Sequence, residues 1–191
     1  ESGSENCLKA IAKEQLTRSK IIDFALQCKK YAIVPEFSFM LGTGDAHLQE
    51  FEETVSLIRK IKTVNEQSII VLYLFSPVAL TPHANRLLNG GFMFPDHLAA
   101  WESSPWSYFD RRRGAYSPWL PQKLIHRLHN FEVVLNARFP AVSDIHLPVW
   151  ARKILSVVAA PRYQFQLYQF PLELKIFLRL ASYIRPEERG L

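Results

Sequence analysis

Residues 33–42 read IVPEFSFMLG, and residues 68–78 read SIIVLYLFSPV. The first stretch alternates. Phe37, Phe39 and Leu41 fall to one side, and Glu36, Ser38 and Met40 to the other, as in a strand with one packed face. The second is almost continuously apolar and rich in β-branched and aromatic residues, which is how a parallel strand covered on both faces reads. Between them, after a turn over Gly42 to Asp45, HLQEFEETVSLIRKIK carries Leu48, Phe51, Val55, Ile58 and Ile61 at helical spacing. Strand, helix and strand in this order make a βαβ unit, with a right-handed crossover as its default.

Working outward toward the N-terminus, two further helical patterns precede the first strand. One runs over residues 4–13, with Ser4 as N-cap, Glu5 in the first turn and Leu8, Ile11 and Ala12 on one face. The other is TRSKIIDFALQCKKYA, with Thr17 as cap, Ile21, Ile22, Ala25, Leu26 and Cys28 as its apolar stripe and Lys29 and Lys30 in its last turn. The opening ESGS reads as the end of a strand handing over to a helix. Two strands do not close a sheet, and a lone parallel pair leaves two unpaired edges. The sequence therefore leads us to expect further strands on the N-terminal side. The expected fold class is α/β: the last strands of a partial (β/α) barrel over residues 1–80. An aromatic and basic connection follows over 81–120, then a mostly helical region over 121–191.

That last region shows three helical patterns, at 121–138, about 143–160 and 171–184. Pro121 and Pro171 suit first turns, while Pro140, Pro161 and Pro186 stand where helices are expected to stop. The connection ESSPWSYFDRRRGAYSPWL brings Trp106, Tyr108, Phe109, Tyr116 and Trp119 around Arg111, Arg112 and Arg113. The three arginines suit either an anion or a solvated basic loop. The stretch FQLYQFPLELKIFLRLASYIRP is apolar with Lys175, Arg179 and Arg185. It fits an interfacial helix and a core helix with snorkelling cations equally well.

The chain of 191 residues is 48% hydrophobic and 21% charged, a globular composition. Its formal charge of +5 is uneven: residues 1–100 hold 10 basic and 11 acidic side chains, residues 150–191 hold 7 and 3. So mild an excess gives no expectation of nucleic acid and leaves peripheral membrane contact open. No apolar run is long enough to span a bilayer. The charged opening lacks the apolar core of a signal peptide, and a cytoplasmic setting is expected. Cys7 and Cys28 read as two reduced, half-buried thiols, and no CxxC or CxxxCxxC occurs. His126 and His129 share a helical face without a nearby carboxylate motif, and read as a solvated or aromatic-packed pair rather than metal ligands. No nucleophile elbow or phosphate loop is present.

In parallel α/β sheets and barrels, ligands sit at the C-terminal ends of the strands. Three such ends are available: Glu1–Ser2–Gly3, Leu41–Gly42–Thr43 and Ser76–Pro77. The first offers a carboxylate and a hydroxyl to ribose hydroxyls or an amine. The second offers a glycine that a flat base can approach. Glu36, Ser38 and Tyr73 are candidates to line a cavity; equally, Glu36 suits an internal salt bridge and Ser38 a bond to backbone.

These residues resemble the middle of radical S-adenosylmethionine (SAM) enzymes, most of all those with a cobalamin-binding domain. The resemblance covers residues 1 to about 80. It rests on Glu1, Ser2, Gly3 and Ser4 at a strand end, and on Leu8, Ile11 and Lys13 in the next helix. It continues through Phe39, Leu41 and Gly42, then Glu53 and Thr54, then Ser76 and Pro77. Here GTGDAH, with Gly44, Asp45, Ala46 and His47, departs from the family's Pro-Gly-Glu-Thr type of loop. The resemblance implies SAM contact by Glu1 and Ser2 and an adenine flanked by Leu41 and Gly42. It further implies a four-iron, four-sulfur cluster whose ligands lie outside this chain, and cobalamin in the parent enzyme. The missing N-terminal barrel half would be a partner of this chain, which alone would be inactive. The parent reaction would be a radical-based methylation or other modification of a small-molecule or lipid-like substrate. The competing class is a non-catalytic module that docks on a membrane surface or nucleic acid through its basic, aromatic helices.

Overall fold

A computed structural model of the chain describes residues 2–43, 46–78, 81–89, 92–104, 106, 117–140 and 147–180. The element order is α1 (Glu5–Ala10), α2 (Arg18–Lys30), β1 (Glu36–Leu41), α3 (His47–Val64), β2 (Ile69–Leu74), α4 (Pro82–Asn89), α5 (Leu98–Glu102), α6 (Gln122–Arg138), α7 (Val149–Gln164) and α8 (Leu172–Leu180). The protein is mixed α/β with helix predominant. The chain divides into two units, Glu1–Pro121 and Gln122–Leu191.

In the first unit β1 and β2 pair in parallel, Glu36 opposite Ile69 and so on to Leu41 opposite Leu74. Among the described residues the sheet has these two strands, and no closed barrel is present. Period-two alternation gives it two unlike faces. Phe37, Phe39 and Leu41 share one face with Ile70, Leu72 and Leu74, and all of these but the half-buried Phe37 are buried. Phe24 of α2 meets Phe37 edge-on at 6.0 Å, which sets α2 on this side. Each such aliphatic or aromatic side chain contributes about 1.5–3 kcal/mol by leaving water. The other face carries Glu36, Ser38, Met40, Ile69, Val71 and Tyr73. Val71 is buried but Glu36, Ser38 and Tyr73 are exposed, so β2 is not covered on both faces along its whole length.

Helix α3, the crossover, is buried on two adjacent rows. Phe51, Val55, Ile58 and Ile61 form the expected one; Glu50, Thr54 and Leu57 form a second at the same spacing. Leu48, expected in the stripe, is exposed. In α2 only Ala25 and Cys28 are buried, and Leu26 faces out. The Asn65 side chain donates to the Ala25 carbonyl at 3.2 Å and ties α2 to the end of α3. The buried Lys62 ammonium donates to the carbonyls of Glu66 at 2.9 Å and Ser68 at 2.6 Å, closing the turn into β2.

Thr17 caps α2 as expected, its hydroxyl accepting from the Lys20 amide. Ser4 stands at the N-cap of α1 but its side chain makes no capping bond. Helix α1 is also shorter than its pattern, ending at Ala10. Ala12 takes φ +55 there, and the Lys13 amide closes back on the Leu8 carbonyl at 2.8 Å. Helix α2 ends the same way, with Ala32 at φ +54 and the Ile33 amide on the Cys28 carbonyl at 2.8 Å. These are left-handed caps built without glycine.

The second unit packs α6 on α7. Leu124, Leu128, Phe131, Val134 and Leu135 are buried on α6, and Ala151, Leu155 and Ala159 on α7. The two alanines let the helices approach closely. The Phe131 and Tyr168 rings meet edge-on at 4.9 Å, as do those of Phe139 and Tyr163. Helix α6 stops before Pro140, as expected. Pro161 does not stop α7, which continues to Gln164. The proline lies on the exposed side, where the Val157 carbonyl left without a donor can reach water. Pro186 and Arg185 lie outside the described residues.

Candidate strand-end site

The C-terminal end of β1 is organised around one buried carboxylate. Gly42 ends the strand at φ +91, a conformation that favours glycine. Its amide donates to Glu50 Oε2 at 2.9 Å, and the Thr43 hydroxyl donates to Glu50 Oε1 at 2.9 Å. Glu50 stands in the first turn of α3, where a negative charge suits the helix dipole, and is 2% exposed. Cys7 of α1 lies against this pair. Burial pushes its thiol above the ordinary range; the Thr43 hydroxyl pulls the other way, and the Glu50 charge pushes it further up. A thiol held this way favours its protonated form.

The opening segment is fastened to the outside of the same helix. The Ser2 hydroxyl, buried, accepts from the Ser4 amide at 3.2 Å. The Gly3 amide donates to Thr54 Oγ1 at 3.0 Å. Arg18 donates through Nη1 to the carbonyls of Gly3 at 3.1 Å and Glu53 at 3.3 Å, and through Nη2 to Ser56 Oγ at 3.2 Å. A Cβ on Gly3 would stand 2.3 Å from Thr54 Cα, so only glycine allows this approach. Gly3, Glu5, Asn6, Arg18 and Glu53 line an open depression of about 220 Å³.

The candidates from the sequence are thus distributed as follows. Ser2 and Gly3 reach the neighbourhood of α3 but use their polar atoms internally. Leu41 turns its side chain into the helix-covered core, and its carbonyl accepts from the Phe75 amide at 2.7 Å. Gly42 has its amide engaged, and Leu120 Cδ2 stands 2.8 Å from where its Cβ would be, over the approach a flat base would use. Ser38 and Tyr73 lie on the sheet face opposite the one that carries Phe39 and Leu41, Tyr73 beside Met40 and so near the strand ends. Glu36 shares that face but begins the strand, about 20 Å from Gly42 by strand rise, at the end opposite the one where ligands are expected. Glu1, Arg111, Arg112, Arg113, Gly44 and Asp45 lie outside the described residues.

Glu50 and Leu120 were not among the sequence candidates, and Thr43 was named only as part of its strand end. The signal for Glu50 was a carboxylate spaced with Thr54 and Leu57 on a helix whose neighbouring row is apolar. Among the described residues no three His, Cys, Asp or Glu gather to hold a metal. Cys7 and Cys28 are both buried and free, and two such thiols do not fit an iron–sulfur cluster. The site offers hydroxyls, backbone and a fixed buried carboxylate, which suits recognition. Comparison with protein-family models, with curated proteins and with solved structures finds no match to this chain.

Proposed function

We propose that this chain supplies the last strands of a radical SAM barrel together with a helical extension. In this reading, the sheet face bearing Ser38 and Tyr73 borders the adenosyl group of SAM near the ends of β1 and β2. The observation that carries the reading is the parallel register: it puts these two exposed hydroxyl-bearing residues on one sheet face, Tyr73 near a strand end held by Glu50. A parallel strand pair with a helical crossover also suits a barrel segment. The cysteines of the four-iron cluster, and any cobalamin-binding domain, then belong to other residues than those described. The parent reaction is a radical-based methylation or other modification of a small or lipid-like substrate.

By the resemblance Glu1 meets the ligand, accepting from a ribose hydroxyl or the ammonium of SAM. Ser2 and Gly3 act by positioning it. Contact of adenine with Gly42 requires the Leu120 side chain to turn away. Charge-assisted bonds are worth about 1.5–3 kcal/mol, so Glu1→Gln should weaken affinity about ten- to a hundredfold. Ligand-detected magnetic resonance with S-adenosylhomocysteine, which needs no reduced cluster, reads this directly. Saturation reaching the adenine protons, and lost in Glu1→Gln, supports the reading. Equal transfer in both proteins removes Glu1 from the site, and no transfer in either contradicts the proposal.

A further inference from the structure

The second unit leaves a broad apolar surface uncovered. On α7, Trp150, Ile154, Val157 and Val158 are exposed at helical spacing, on a side away from the buried Ala151, Leu155 and Ala159. On α8, Leu172, Ile176 and Leu180 recur every fourth residue and are exposed. The turn between the helices adds Phe165, Leu167 and Phe170, each more than half exposed. A run of large apolar side chains on this scale is not ordinary surface.

The turn is also held rigid. Arg162 uses all five of its N–H groups at once. Nε and Nη2 donate to the two carboxylate oxygens of Glu173, Nη1 to the carbonyls of Leu167 at 3.0 Å and Gln169 at 2.9 Å, and Nη2 also to that of Phe170 at 3.2 Å. Gln166 at φ +58 and Phe170 at φ +46 are kept in left-handed conformations by this clamp. Strain of this kind is retained where the surrounding structure fixes it, and here it presents three apolar side chains outward.

The charge around this surface is one-sided. Over residues 147–180 there are five basic side chains, Arg152, Lys153, Arg162, Lys175 and Arg179, against one acid, Glu173. That acid is already paired with Arg162. Lys153 and Arg179 are exposed beside the stripes of α7 and α8. Among the described residues no helix is long and apolar enough to cross a membrane. Aromatic and aliphatic side chains at the surface, flanked by cations, are what an element lying in the plane of an anionic bilayer surface requires.

The geometry points to an anionic lipid surface as the partner of the α7–α8 face. The apolar side chains enter the headgroup boundary, and Lys153 and Arg179 meet lipid phosphates. This inference is independent of the SAM reading. The test is cosedimentation of the full chain with phosphatidylglycerol vesicles and with phosphatidylcholine vesicles, across a range of salt. Binding to the anionic vesicles should fall with salt. The double variant Val157→Glu/Ile176→Glu should bind about tenfold more weakly or worse. Lys153→Glu/Arg179→Glu should lose the preference for anionic lipid. Both pairs are at exposed positions, and circular dichroism checks that the variants fold. Trp150 fluorescence should shift to the blue on binding, and Trp150→Phe should remove that shift while binding persists. Equal binding by Val157→Glu/Ile176→Glu overturns the proposal. So does binding of RNA or DNA without vesicles, or a dimer that this variant converts to monomer, which would assign the face to a second copy.

Discussion

Two charged side chains organise the two units, and they do so in opposite ways. In the N-terminal unit Glu50 is 2% exposed and accepts two bonds, from the Gly42 amide and the Thr43 hydroxyl. In the C-terminal unit Arg162 lies nearer the surface and donates five, three to carbonyls of the turn 167–170 and two to Glu173 in the first turn of the next helix. A buried acceptor fixes a single geometry because its partners have no water to turn to. A surface clamp shapes a turn whose backbone water can also solvate. The first unit therefore holds a strand end in place, while the second displays apolar side chains.

The largest effect should come from breaking the buried half of this comparison. Glu50→Ala strands the Gly42 amide and the Thr43 hydroxyl in the core and opens a cavity, which should cost about 3 kcal/mol or more. Denaturant unfolding checks this, and Glu50→Gln should lose less because it keeps the shape and one acceptor. Equal stability of Glu50→Ala and the parent would mean that the carboxylate does not hold the strand end.

The surface half should respond less. Arg162→Lys keeps the charge but gives up the fork, and should cost about 1 kcal/mol. Amide exchange across residues 165–170 should accelerate before global unfolding does. The clamp also has a pH dependence with a definite sign. The Arg162 hydrogen bond holds the Glu173 carboxyl below its ordinary value. Its contribution is present above the carboxylate range of the unfolded chain, about 4.3, and is lost as pH falls through the lower folded value. Protection of the turn relative to intrinsic exchange at the same pH should therefore fall on acidification, and Glu173→Gln should abolish that response.

The smallest effect tests the helix ends. Ala32 holds φ +54 at the end of α2. Ala32→Gly relieves that strain at the cost of some chain entropy and should stabilise by roughly 0.5–1 kcal/mol. A lowered melting temperature would show that the left-handed cap is not where the chain is strained.

The β1–α3–β2 order was legible because a period of two and a period of 3.6 alternate over residues 33–78. The stripes were legible only to within a neighbouring row. Leu26 and Leu48 sit at the edge of a helical stripe and turn outward, while Glu50 and Thr54 turn inward, and spacing alone does not say which row meets the core. Pro161 reads as a stop, yet it lies on an exposed side where its missing amide costs little. The strand-end candidates Gly3 and Gly42 were visible as glycines. Their partners Thr54 and Glu50 were not, because these contacts depend on how α3 is rotated. The exposed stripe of α8 lay in a stretch that fits a core helix and an interfacial helix alike, while that of α7 was read only as part of a helical pattern.

The most direct test of the central claim is an amide-resolved magnetic resonance titration of the chain with S-adenosylhomocysteine, mapped residue by residue. Shifts are expected at Ser38, Met40, Tyr73, Gly42 and the Ser2–Ser4 segment, with Phe39 and Leu72 on the helix-covered face much less affected. A ligand that leaves those five places unmoved while shifting others, or that moves nothing at millimolar concentration, would contradict that claim.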